Sequence, residues 1–245
     1  MNFKRRRIEA LTTVWSIIVS KPELKREEVV EILKSVYKSM DVEPIRGAGN
    51  PPDLYDKELS SLYVIGKWGL GIDKDLREEV FKDVFSMEMQ FELMWGALRK
   101  ANSKEEFCRE LKEMCSKLDE GMAARFLRFA FTLYYFGFIK FEELTSILKK
   151  LYSFFDSLQD TVRRFTKFVI AYEIGLKIAS GKLKTALELN MEKNVLALNI
   201  GIPKAVPSTG YIIEVSKHFF TLPSNVTKNL LKAESKKESE GDANV

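Results

Sequence analysis

Two parts of this 245-residue chain carry residue types that could do chemistry: the basic run Lys4-Arg5-Arg6-Arg7 and the glycine- and proline-rich stretch Pro44–Gly71. Arginine's planar fork meets phosphate oxygens two at a time, and a basic arm is a common contact to nucleic acid. Four charges alone give weak, salt-sensitive binding, and Arg5–Arg7 could equally pair with acidic helix ends such as Glu27 or Asp83. In PIRGAGNPPDLYDKELSSLYVIGKWGLG, Gly47 and Gly49 could turn backbone N–H groups toward an anion beside Arg46, just before a helix that Asp53 can cap. Asp53 would then fill that helix end with its own carboxylate. No strand precedes the loop, no Gly-Lys-Ser/Thr follows it, and the glycines of GKWGLG are wrongly spaced for a dinucleotide fingerprint. The plainer reading is a rigid turn, Gly47–Pro52 with Pro51 and Pro52 stiffening it, and a helix stop over Gly66–Gly71. Between them Lys57, Ser60, Ser61 and Lys67 lie off the apolar stripe, with Asp56 and Glu58 interspersed. They read as a solvated face with local ion pairs or as a recognition surface for a partner.

Catalytic constellations are poorly supported. The only histidine, His218, has no nucleophile motif near it, and no G-x-S-x-G occurs. Acid pairs such as Glu27/Glu31 and Glu142/Glu143 resemble ordinary helix surface, and histidine-based metal-ligand spacings are absent. Cys108 and Cys115 stand seven apart, two turns of one helix and roughly 10 Å of rise, too far for a disulfide within that helix. The sequence therefore assigns no catalytic residue, cofactor or metal, and the unpaired cysteines suggest a reducing, cytoplasmic compartment.

Composition sets the background for these residues. Lys plus Arg number 39 and Asp plus Glu 35, a net charge of +4 that permits nucleic-acid contact without demanding it. The most apolar run, Phe126–Ile139, is too short to span a bilayer and begins around Arg128, so a buried helix is expected and no membrane partner. Glutamine occurs only at Gln90 and Gln159 while Lys and Glu abound, the pattern of hyperthermophiles.

Helical periodicity runs through nearly the whole chain. Stripes over Ile8–Val19 and from Pro22 to about Asp41 precede the glycine loop. Further helices are expected after Asp53, from Asp73 past Trp95, after a Ser103/Glu106 capping box, and over Met122–Phe136 following a break at Gly121. Phe141–Leu158, Thr161–Ser180 and Lys184–Asn199 follow, the last stopped by Gly201 and Pro203. The expected fold is all-α, a multi-helical orthogonal bundle of about eight to ten helices. Near the C-terminus Tyr211–Phe220 reads as a strand or a helix. With SNVTKNLLKA after it, and Lys217, Lys228 and Lys232 at hand, it also reads as a helix–turn–helix-like element. The expected divisions are a helical domain over 1–203, an extension of uncertain structure over 204–233 and a disordered polar tail over 234–245.

The stretch Pro44–Gly71, with RIEALTTVW (Arg7–Trp15) and EKNVLALNIGIPKA (Glu192–Ala205), resembles a family of uncharacterised proteins from crenarchaeal hyperthermophiles. The resemblance covers most of residues 5–205 and lends no role to any residue. The function expected is a non-catalytic cytoplasmic interaction protein that binds RNA, DNA or a ribonucleoprotein. Lys4, Arg5, Arg6, Arg7, Arg46 and Lys67 would make the phosphate contacts, and Gly47, Gly49, Pro51, Pro52 and Asp53 would shape the loop. The alternatives are a protein-partner adaptor or homodimer using the aromatic helices around Tyr134–Phe155, and a small-molecule or phosphate site in the Arg46–Lys67 region.

Overall fold

A computed structural model describes residues 3–45, 55–69, 80, 82 and 84–241. Among these the chain is helical throughout, with twelve α-helices and no strand, so the count exceeds the eight to ten expected. No described helix is long and apolar enough to cross a membrane. The chain falls into two compact units that divide at Val162/Arg163.

The first unit holds α1 (Phe3–Val19), α2 (Arg26–Ser39) and α3 (Asp56–Val64), the last prolonged by a π-helical turn at Ile65–Gly69. It continues with α4 (Ser86–Lys100), α5 (Lys104–Glu110), α6 (Lys112–Cys115), α7 (Glu120–Tyr135) and α8 (Phe141–Phe154). A 3₁₀ turn at Asp156–Leu158 and the start of α9 (Gln159–Ala179) close it. Helix α3 packs against both α1 and α7. The helix stop expected over Gly66–Gly71 is described as far as Gly69, through the π turn that follows Val64. Gly66 in that turn must lack a side chain, because a Cβ there would come within 2.4 Å of the Trp15 indole, which packs directly on its backbone. Trp15, Tyr63, Phe85, Phe91, Phe126 and Phe129 then build an aromatic core whose ring centroids lie about 6 Å apart, the spacing of favourable tilted and edge contacts.

Local chemistry sets the ends of these helices. Ser103 caps as expected, its Oγ accepting from Glu106 N at 3.1 Å, while the Glu106 carboxylate accepts from Asn102 N at 2.8 Å, one residue before the N-cap that a full capping box would engage. Gly121 sits inside the first turn of α7, where Asp119 caps by accepting from Met122 N at 2.7 Å. The helix holding the two cysteines is broken at Leu111, with φ −129° and ψ 49°. Cys108 and Cys115 therefore lie in separate helices, their thiols free and near enough for one to act on the other. Burial, then the neighbouring thiol, pushes Cys115 up to about 12.

The second unit holds the rest of α9 with α10 (Ala186–Ile200), α11 (Thr209–Phe219) and α12 (Ser224–Gly241). The segment read as a strand or a helix is α11, capped by Ser208, whose hydroxyl accepts from Tyr211 N at 3.3 Å. Thr185 caps α10, and Gly201 ends it in the left-handed region at φ 68°. Gly175 lets α9 and α11 touch, since a Cβ there would sit 2.3 Å from Ser216 Oγ. Helix α12 continues past Lys232 to Gly241.

Candidate functional site

Helix α3, DKELSSLYV, is half polar by sequence, yet every one of its nine residues is buried. The solvated face expected for Lys57, Ser60 and Ser61 does not exist: α2, α7 and the Ile45 backbone supply partners to the charged side chains, and the two serines donate to carbonyls of their own helix. Buried ionised groups persist only where hydrogen bonds and counter-charges replace water. Two clusters do this.

The first cluster is closed. Glu58, fully buried, accepts from Ile45 N at 2.8 Å and from the Tyr37 hydroxyl. Lys57 Nζ donates to Ile45 O at 3.2 Å, and burial followed by the Arg128 charge lowers it to about 8. Arg7, 1% exposed, donates from Nη2 to Glu43 O at 2.5 Å, and its charge acts on the Tyr37 and Tyr135 hydroxyls. Burial and the Glu58 carboxylate raise Tyr37 well above its ordinary value, keeping it a donor.

The second cluster opens to solvent. Asp56 Oδ1 accepts from Arg26 Nη2 at 2.7 Å, while Oδ2 lies 3.3 Å from Arg125 Nε and 3.8 Å from Arg128 Nη1. Helix periodicity makes this possible: Arg125 and Arg128, three apart, share a face of α7, and Asp56 and Ser60, four apart, share a face of α3. The five residues line a crevice of about 230 Å³, open mouth included, with Met87, Glu88 and Phe91 completing its wall. Glu88 is 3% exposed, and its Oε2 has no hydrogen-bond partner among the described residues. Burial pushes its carboxyl up to about 7, with the Asp56 charge adding and Arg26 and Arg125 opposing. Among the described residues, three guanidinium groups thus converge on the Asp56 carboxylate, with the Glu88 carboxyl, half protonated at neutral pH, beside them.

The expected basic arm is dispersed. Arg7 is a core residue and offers no surface to a phosphate, correcting its sequence reading: its guanidinium is spent inside the first cluster. Lys4 Nζ donates to Tyr135 O at 2.7 Å and lies 4.8 Å above the Tyr135 ring. Arg5 pairs with Glu9 at 3.0 Å, and Arg6 stands 3.8 Å from Asp41. Lys67 binds Glu92 and lies 5.7 Å from the Tyr63 ring. Arg46, Gly47, Gly49, Pro51, Pro52 and Asp53 lie outside the described residues. Among the described residues, no three His, Cys, Asp or Glu side chains come together to hold a metal.

Sequence reasoning did not find Arg26, Glu88 and Arg125. The available signal was a charged pair, Arg125 and Arg128, inside a helix rich in aromatic and aliphatic residues, where an arginine must find a carboxylate. No curated protein and no solved structure matches the chain. The model of one family matches residues 1–231, nearly the whole sequence, and the chain belongs to that family, described as uncharacterised proteins conserved in archaea (DUF2192).

Proposed function

We propose that the first unit binds a small ligand through a terminal oxyanion, phosphoryl or carboxylate, seated in the Arg26–Arg125–Arg128 crevice. The observation that carries this is the convergence of three guanidinium groups on the single carboxylate of Asp56. Their forks suit bidentate contact to oxyanions, and half-burial strengthens each contact relative to open water. The narrow floor admits an oxygen-sized group, so the remainder of the ligand lies in the mouth. Glu88 tunes the affinity: ionised above about pH 7 it adds a negative charge beside the anion, so binding weakens as pH rises through that value.

Thermal unfolding of the full chain in phosphate, pyrophosphate and citrate, against chloride at matched ionic strength, tests the reading. The expected result is a concentration-dependent rise in Tm that Arg26→Gln and Arg125→Gln abolish. Equal shifts in wild type and both variants, or none, would overturn it.

A second reading, the RNA- or DNA-binding protein expected from the sequence, is favoured by one observation in the second unit. Residues 163–232 carry eleven Lys and Arg against four Asp and Glu. Lys217, Lys228 and Lys232 are exposed on α11 and α12, which only Phe220–Pro223 separate. Binding of this kind falls steeply with salt, and a salt-insensitive titration would remove it. The free thiols of Cys108 and Cys115 support a reducing, cytoplasmic setting. The scarcity of glutamine supports a hot one.

A further inference from the structure

Helix α10 is apolar on two opposite sides. Leu189, Leu196 and Ile200 are buried in the second unit, whereas Leu187, Met191, Val195 and Leu198 are exposed at 71%, 62%, 50% and 81%. Spacings of four, four and three place those four on one stripe. A helix with two apolar sides needs a cover on both. Together the four side chains expose on the order of 500 Å², well over half of the roughly 800 Å² that each partner contributes to a standard interface.

We infer that this stripe is the contact face for a second copy of the chain, with two α10 helices packed about a two-fold axis. The charges beside it select that occupant. A two-fold contact brings each group opposite its own copy or a near neighbour, so any unspent charge at the centre would meet its like. The stripe has none to spare. Asn194 and Asn199 flank it, exposed amides that each donate and accept and so can pair with themselves. Glu188 is turned back onto the helix start, accepting from Lys184 N at 2.8 Å and Thr185 N at 2.9 Å. Glu192 is held by Lys177 at 2.5 Å, on the side away from the stripe. A nucleic acid or an anionic lipid surface would need lysines or arginines around the apolar residues, and α10 carries only Lys193, on the opposite face.

Sedimentation equilibrium of the full chain, with circular dichroism as the check on folding, tests this. Wild type is expected to be a reversible dimer. Leu187→Ser with Leu198→Ser should give a folded monomer. Asn194→Lys, which adds an exposed like-charge pair near the axis and disturbs no packing, should weaken dimerisation by about tenfold or more. A wild-type protein that stays monomeric at high concentration overturns the inference. So does a dimer indifferent to both variants, or a monomer whose α10 variants instead lose binding to phosphatidylglycerol vesicles.

Discussion

Helices α3 and α10 are opposites in composition and in fate. Five of the nine residues in α3 are charged or serine, and all five are buried. In α10 a leucine of the same chain stands 81% exposed. Transfer free energy alone would exchange them. What distinguishes them is partnership. The charged groups of α3 meet Arg26, Tyr37, Arg125 and Arg128 from two neighbouring helices and the backbone of Ile45, so burial costs them less than a count of charges implies. The exposed side of α10 meets nothing within its own unit. A helix buried against its composition marks a network, and one exposed against its composition marks an interface.

The contrast is broken most directly at Arg7. Removing one member of a closed, buried charged network leaves the others unpaired. Arg7→Ala is therefore expected to lose about 3–5 kcal/mol in guanidinium unfolding. Arg5→Ala, at a mostly exposed i,i+4 pair, should stay within about 0.5 kcal/mol. If Arg7→Ala is as mild as Arg5→Ala, α3 is not held in place by its partners.

A smaller effect distinguishes the open cluster from the closed one. The Glu88 carboxyl is raised from 4.5 to about 7 in the fold, so the folded state holds a proton that the unfolded state releases. Its contribution is full below about pH 4.5 and is lost as pH rises to about 7, on the order of 3 kcal/mol. Glu88→Gln should flatten that part of the stability–pH curve and be more stable than wild type at pH 8. Glu173 in the second unit, raised to about 7 chiefly by burial, keeps its own slope of the same sign. A variant no more stable at pH 8 would show that burial does not raise the Glu88 carboxyl in the fold.

The smallest of the three concerns the continuation of α3. Gly66→Ala would force a Cβ to 2.4 Å from the rigid Trp15 indole, costing about 1–3 kcal/mol and altering the tryptophan fluorescence. An unperturbed spectrum would mean that the π turn shifts freely and that α3 is not packed against α1 there.

Much of the helical framework could be read from local pattern. The Ser103 and Thr185 caps, the Gly201 stop and the stripes of α1, α2 and α8 all depend on residues within a few positions of one another. The candidate site could not be read that way. Arg26, Asp56, Glu88 and Arg125 stand thirty or more residues apart in steps along the chain, and all but Arg125 look like ordinary helix surface where they stand. Arg7 misled for the same reason: in Lys4–Arg7 it has the neighbours of an exposed arm, and only the approach of α2 and the 42–45 segment buries it.

Helix positions, most of their ends and the absence of a familiar catalytic motif were thus determined by the sequence by itself, because hydrogen bonding within a helix and at its caps is local. Which charges are buried, which arginines share one carboxylate, that Gly66 seats a tryptophan and that α10 keeps an apolar side uncovered were decided only by the tertiary structure. Burial and charge pairing depend on distances between helices, and those no single segment encodes.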